Sequence, residues 1–364
     1  MKKMIYFLTL SYFILTRCVD EIKVPLSSET ALVIQGWLTN EPKAHRIQIA
    51  LSYPFDENPL FKAIDPIVQK AQVDISDDEN NLVQLIEGKN GNYYTPNNFA
   101  GIIGRVYTLH VVLNDGREYY SRSEKLLPNG ATIDNVCFEN TYSESLSSNN
   151  GSIVKSPEVS FSITFTDNSE TKDFYRWGYK GVYEVFAPYS ESIEVPDDCD
   201  PTCGICPDET MKTCWATAFD LEFLKLDDDL LFNGRTIEEY FIYSSPADRR
   251  FNIGYAANIE QFSLTKTAFE YWNSIQSQNE NTGTVFESPN FQIRGNIISK
   301  DNPDEIVLGY FGASAITVAR VILEDADVPG NLGPINCDRE CIPLECIDCR
   351  YWPATNVRPD YWPL

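Results

Sequence analysis

EVSFSITFT, residues 158–166, alternates without a break: Val159, Phe161, Ile163 and Phe165 fall on one side, Ser160, Ser162, Thr164 and Thr166 on the other. Side chains along a strand repeat every second residue, so this stretch reads as a strand with one buried face and one wet face. The same short-period pattern recurs on both sides of it. Upstream, residues 31–38 run into Gly36-Trp37, and 46–52 alternate. Residues 73–76 and 82–85 flank Asp77-Asp78-Glu79-Asn80-Asn81, a hairpin loop. Residues 106–113 and 117–121 flank Asn114-Asp115-Gly116, residue types that tolerate positive φ and close hairpins. Downstream, 176–186, 251–261 and 306–323 continue the strand-rich reading. The expected fold class is mainly β.

Punctuation divides the chain. Residues 31–125 form a small β-sandwich, expected to be immunoglobulin-like. Pro128, Asn129 and Gly130 mark a linker, and 131–330 form a larger β domain. One segment breaks the β pattern. Leu264, Ala268, Tyr271, Trp272 and Ile275 share one helical face, which predicts a packing helix over 263–279 with Ser263 as its N-cap. Residues 331–364 read as a disulfide-rich tail packed on the second domain, against the 199–214 loop. No period of 20–50 residues indicates a repeat array.

The N-terminus carries an address. Lys2 and Lys3 precede an apolar run from Met4 to Leu15, which stops at Thr16-Arg17-Cys18 and is followed by Asp20 and Glu21. A basic start, a short apolar stretch and a polar stop make a secretion signal over 1–17, too short to span a bilayer. Ending it on a cysteine resembles a lipoprotein signal, with Cys18 acylated and 18–30 as a lipidated tether. Each buried methylene of such an anchor contributes about 0.8 kcal/mol. Asp20 and Glu21 resemble the signal that exports Bacteroidota lipoproteins to the outer face of the outer membrane.

Ten cysteines bear on redox state. Apart from Cys18 and the lone Cys137, eight fall into two clusters: Cys199, Cys203, Cys206 and Cys214, then Cys337, Cys341, Cys346 and Cys349. Beyond the inner membrane such thiols oxidise, so the eight are disulfide candidates, with 105 possible connectivities. The competing reading is a four-thiolate zinc site built from the C-x-x-C pairs Cys203/Cys206 and Cys346/Cys349. Cys137, between Val136 and Phe138, is expected to be a buried free thiol.

The formal net charge is −24, and removal of 1–17 would take it to about −27. Such a field repels phosphate backbones and argues against nucleic-acid binding. His45 and His110 are the only histidines, and neither sits beside a nucleophile signature. No phosphate-binding loop is present, and Gly101-Ile-Ile-Gly104 reads as a turn between strands. The acidic runs 77–79 and 227–229 do not follow a calcium-loop grammar and read as solvated turns. No catalytic residue, metal site or cofactor is expected, although two carboxylates among 53 acids would suffice for a glycosidase.

A family resemblance rests on the acid-followed Cys18, then Leu32-Val-Ile-Gln-Gly-Trp-Leu-Thr39, then Gly91-Asn-Tyr93 through Gly104-Arg-Val-Tyr-Thr-Leu109 to Asp115-Gly116. It continues with Ser263-Leu-Thr-Lys266, Tyr271-Trp272, Arg294-Gly-Asn296, Cys346-Ile-Asp-Cys-Arg350 and Arg358-Pro-Asp-Tyr-Trp362. In this order the chain resembles the Bacteroidota outer-membrane lipoproteins of domain-of-unknown-function family 4249, over nearly its whole length. Arg17, where a small residue normally precedes the cysteine, departs from the lipoprotein pattern. The resemblance implies a lipid-anchored protein on the outer membrane, facing the exterior and partnered by a TonB-dependent receptor. The expected function is non-enzymatic, accessory to that receptor in nutrient capture. The alternatives are a structural accessory of an envelope assembly, or an enzyme on surface polymers that uses paired carboxylates.

Overall fold

Strand 158–166 is the inner part of a longer one, Ile153–Asp167, in a computed structural model that describes residues 30–52, 67–146, 151–190, 209–220, 223–280, 293–328 and 344–363. Val159, Phe161, Ile163 and Phe165 are fully buried, as the alternation requires. The strand lies between Ala131–Leu146 and Thr236–Pro246 in a three-stranded antiparallel sheet. Its other face is a ladder of hydroxyls: Ser160 Oγ lies 2.6 Å from Ser244 Oγ and 2.9 Å from Thr141 Oγ1. The apolar face packs on a second sheet, ordered Ile316–Glu324, Gly254–Ser263, Phe174–Phe186, Thr213–Phe219, Ala354–Thr355, with Lys225–Asp228 also pairing with Phe174–Phe186. Rings dominate this core. Phe165 packs 5.4 Å from Trp177, and Phe251 stacks 4.1 Å from Tyr255. Pairs of this kind add about 0.5–1.5 kcal/mol each beyond their buried area.

The first sandwich is built the same way. One sheet runs Val307–Leu308, Leu32–Thr39, Arg46–Leu51, Asn92–Tyr94, Ile86–Glu87, with Phe311–Ser314 also on Leu32–Thr39. The facing sheet runs Ile297–Ser299, Glu118–Ser121, Val106–Val112, Gln72–Asp77, Leu82–Gln84, with Glu124–Lys125 also on Val106–Val112. Ile34, Leu38, Ile47, Leu109, Tyr119 and Phe311 meet in one core between them. Both predicted hairpins form. Asp77 Oδ1 accepts from the N–H of Glu79 at 3.0 Å and of Asn81 at 2.9 Å. Gly116 turns the second loop at φ 90°, a conformation that costs glycine little.

Three expectations take corrections. The second domain does not run unbroken from 131 to 330: Ile297–Ser299, Val307–Leu308 and Phe311–Ser314 return to the first sandwich. Parallel pairing with Leu32–Thr39 closes an edge that would otherwise be open. Alternation over 306–323 says strand but not which sheet the strand joins. The helix is Lys266–Glu280 and its cap is Thr265, whose Oγ1 accepts the Ala268 N–H at 3.2 Å. Ser263 is engaged elsewhere, donating to the Leu127 carbonyl at 2.8 Å and accepting from the Ala315 N–H at 3.0 Å. Cys137 is a free thiol but half-exposed rather than buried, with the Asn135 amide 3.2 Å from its sulfur. Among the described residues no helix is long and apolar enough to cross a membrane.

The described part of the tail lies along Thr213–Phe219. Cys349 is bonded to Cys214 across 135 residues, with Cα atoms 5.6 Å apart. Ala354–Thr355 adds a short strand to that edge, and the Trp362 indole donates to Glu184 at 3.2 Å. Cys346 is disulfide-bonded as well. A bridge closing so long a loop should contribute about 2–4 kcal/mol. Cys214→Ser with Cys349→Ser should therefore lower the unfolding free energy by that amount, read as a fall in the non-reduced urea midpoint. A midpoint that responds to a chelator and not to Cys214→Ser alone, which spares all four proposed zinc ligands, would restore the zinc reading.

Candidate functional site

Alternation decides what each sandwich turns outward. Strand Leu32–Thr39 sends Ile34 and Leu38 into its core and Trp37 to the other side. The Trp37 indole lies flat on Gly312, where a Cβ would overlap the ring. Tyr310 stacks beside it at 6.1 Å, and Trp272 of the helix closes in at 5.8 Å. Tyr271 stacks on Tyr310 at 4.7 Å. From the second sandwich, strand Phe174–Phe186 buries Tyr175 and Trp177 and so turns Arg176 outward. Phe262 sits directly opposite Arg176 on the neighbouring strand, so both side chains share one face. The guanidinium lies 4.0 Å from the Phe262 ring centre, 5.0 Å from Trp272 and 5.4 Å from Trp37. Trp37, Arg176, Tyr271, Trp272 and Tyr310, with Gln35, Lys43, His45 and Arg46, line a cavity of about 450 Å³ between the sandwiches and the helix.

The charge of this cavity runs against that of the protein. The chain has 53 acids and 29 bases, yet the lining holds Arg176, Lys43 and Arg46 and no carboxylate. Lys43 is paired with Glu41. Arg176 has no ion pair among the described residues, and its Nε is buried without a hydrogen-bond partner. Burial pushes its pKa down to about 10, against the pull of Glu260, so the guanidinium stays charged at neutral pH. The indole N–H groups of Trp37 and Trp272 are also buried and unpartnered. A buried donor left unpaired costs about 1–3 kcal/mol, so three around one cavity are a large local debt.

His45 is not a base for this cavity. It is 2 % exposed, with Nε2 3.0 Å from the hydroxyl of Thr39, itself 3 % exposed. Thr95 Oγ1 lies 3.4 Å from its Nδ1. Burial, helped by Lys43, lowers its pKa to about 4. A second cavity of about 350 Å³ shares the wall of Tyr271 and Tyr310 and is lined by Arg122, Glu124, Arg294 and Asn296 among others. Burial raises the Glu124 carboxyl, which accepts from Tyr310, from Thr265 at 2.8 Å and from Thr267 at 3.2 Å. Those bonds anchor the helix to the first sandwich.

One group of three carboxylates has metal-ligand spacing: oxygens of Asp167, Asp173 and Asp229 lie within 4.8 Å of one another. All three already accept structural bonds. Asp167 takes the Tyr175 hydroxyl and the Gly234 N–H, Asp229 the Asp173 N–H at 2.8 Å, and Asp173 the Thr171 hydroxyl at 2.6 Å. Asp227 accepts from Trp177 and Tyr240, and Asp228 caps a short turn. The run 227–229 is thus a set of internal acceptors, not the solvated turn expected.

Of the residues singled out in sequence, the structure joins Cys214 to Cys349 and oxidises Cys346. Cys18, Asp20, Glu21, Cys199, Cys203, Cys206, Cys337 and Cys341, with segments 1–17 and 18–29, lie outside the described residues. Arg176 was missed. Its neighbours Tyr175, Trp177 and Tyr179 show that it faces away from their core, but nothing local shows that a helix and Trp37 cover it.

A family model described as "Domain of unknown function (DUF4249)" matches residues 19–320. No curated protein matches the chain. Among solved structures, a DUF4785 family protein from Legionella pneumophila subsp. pneumophila str. Philadelphia 1 is similar at 10% identity and a TM-score of 0.19, over 60% of this chain and 55% of that one. The chain thus spans little more than half the length of that relative.

The depressed His45 pKa gives a pH dependence with a definite sign. Between about pH 6.5 and 4 the unfolded chain binds a proton at this site that the folded chain refuses, so its contribution to stability is lost as pH falls through that window. A depression of this size is worth roughly 3 kcal/mol. His45→Gln should lose less stability between pH 7 and pH 4.5, read as urea midpoints, than the unaltered protein. Equal losses would place His45 outside the acid response.

Proposed function

The chain belongs to the DUF4249 family, a domain of unknown function, and on that premise we propose that it is a surface-exposed outer-membrane lipoprotein that captures a small nutrient for a partner TonB-dependent receptor. Cys18 carries the lipid, and Asp20 and Glu21 direct the protein to the exterior. The Cys214–Cys349 bridge supports an oxidising compartment.

The aromatic cavity between the two sandwiches carries the capture reading. Its volume of about 450 Å³ falls within the usual range for small-molecule sites. Its walls are indole and phenol rings with a few unpaired donors, which suits binding. The same lining favours a binder over an enzyme: it offers no carboxylate pair, and the one histidine is buried against threonines.

Three measurements test this. Cys18→Ala should release the protein from membranes. Deletion should abolish growth on one nutrient, and the protein should co-purify with a receptor barrel. Trp272→Ala should keep the membrane and receptor associations but reproduce the growth defect. Normal growth of that variant would remove the cavity from the function and leave the structural-accessory reading in its place.

A further inference from the structure

Resting on the capture reading, we infer that the cavity is a carboxylate site: Arg176 holds the acid group of a small monocarboxylate whose ring lies against Trp37, Trp272 and Tyr310. Phe262 covers the guanidinium at 4.0 Å, and the indoles of Trp272 and Trp37 follow at 5.0 and 5.4 Å. Such packing holds the fork in place and leaves its N–H edges for recognition. A carboxylate matches that fork with two parallel hydrogen bonds. The buried indole N–H groups of Trp37 and Trp272 are further donors, and the cavity presents no carboxylate of its own. Unpartnered donors in a wall without a carboxylate suit an anionic acceptor from outside.

Charge limits the ligand. Arg176, its Nε buried, has no ion pair among the described residues and feels Glu260 only at longer range, while Lys43 already holds Glu41 and Arg46 is exposed. The rest of a chain with net charge −24 repels anions. A single negative charge fits this balance, whereas a phosphate dianion or a polyanion meets more repulsion than one guanidinium offsets. The stacked rings ask for a flat or ring-shaped body, which a sugar acid and an aromatic acid both provide.

Calorimetry on the full lipidated protein in detergent separates these sources. The probes are D-glucuronate and benzoate, their uncharged counterparts D-glucose and benzamide, and inorganic phosphate. One of the two carboxylates should bind at least about tenfold more tightly than its neutral counterpart and than phosphate. Arg176→Gln should abolish that preference, and Arg176→Lys should restore part of it. Trp272→Phe keeps a ring, loses the N–H, and should weaken binding by about threefold or more. Failure of both carboxylates to bind, equal binding of a neutral counterpart, binding of phosphate alone, or unchanged affinity in Trp272→Phe and Arg176→Gln would each overturn the assignment. If Trp272→Ala still abolishes growth while both carboxylates fail, nutrient capture stands and the acid is the wrong ligand.

Discussion

One buried seam joins the two sandwiches, and the cavity exists because of it. The chain passes from Phe311–Ser314 in the first sandwich directly into Ile316–Glu324 in the second. At the crossing, Ser263 exchanges bonds with Ala315 in both directions, N–H to carbonyl at 3.0 Å and N–H to hydroxyl at 3.0 Å. Ser263 also donates to Leu127, Ser314 donates back to the Ser263 carbonyl, and Asn40 accepts the Ile316 N–H at 2.8 Å. Ser263 and Ser314 are buried, and hydrogen bonds in such surroundings are stronger than in water and costly to leave unmade. The seam therefore fixes Trp37 and Tyr310, from one half, against Arg176 and Phe262, from the other.

That rigidity permits a locally unfavourable arrangement. The Arg176 guanidinium has no ion pair among the described residues, only the longer-range pull of Glu260, and its buried Nε loses hydration that the protein does not replace with a hydrogen bond. Its aromatic neighbours return part of the loss, about 0.5–2 kcal/mol for each well-placed ring. The Glu124 bonds to Thr265, Thr267 and Tyr310 add to that rigidity by locking the helix that carries Trp272.

Sequence reading recovers what local periodicity encodes. Alternation at 158–166 identified a buried face, and Asn114-Asp115-Gly116 identified a hairpin, because both depend on neighbours a few residues away. The helix was legible for the same reason, though its cap was not: Ser263 and Thr265 are both good caps, and only the seam takes Ser263. The return of 294–314 to the first sandwich was hidden, since strand pattern does not name a partner sheet. Pairing of Cys214 with Cys349 was likewise one of many connectivities. The cavity was the least visible feature, because Arg176 on its own strand looks like any outward-facing charged residue.

The most direct test of this account is a crystal structure of the full chain grown with whichever of D-glucuronate or benzoate it binds. The carboxylate oxygens should lie about 2.7–2.9 Å from the guanidinium nitrogens of Arg176, with the ligand ring on the face shared by Trp37, Trp272 and Tyr310. A ligand seated elsewhere, or Arg176 paired with a carboxylate of the protein itself, would contradict it.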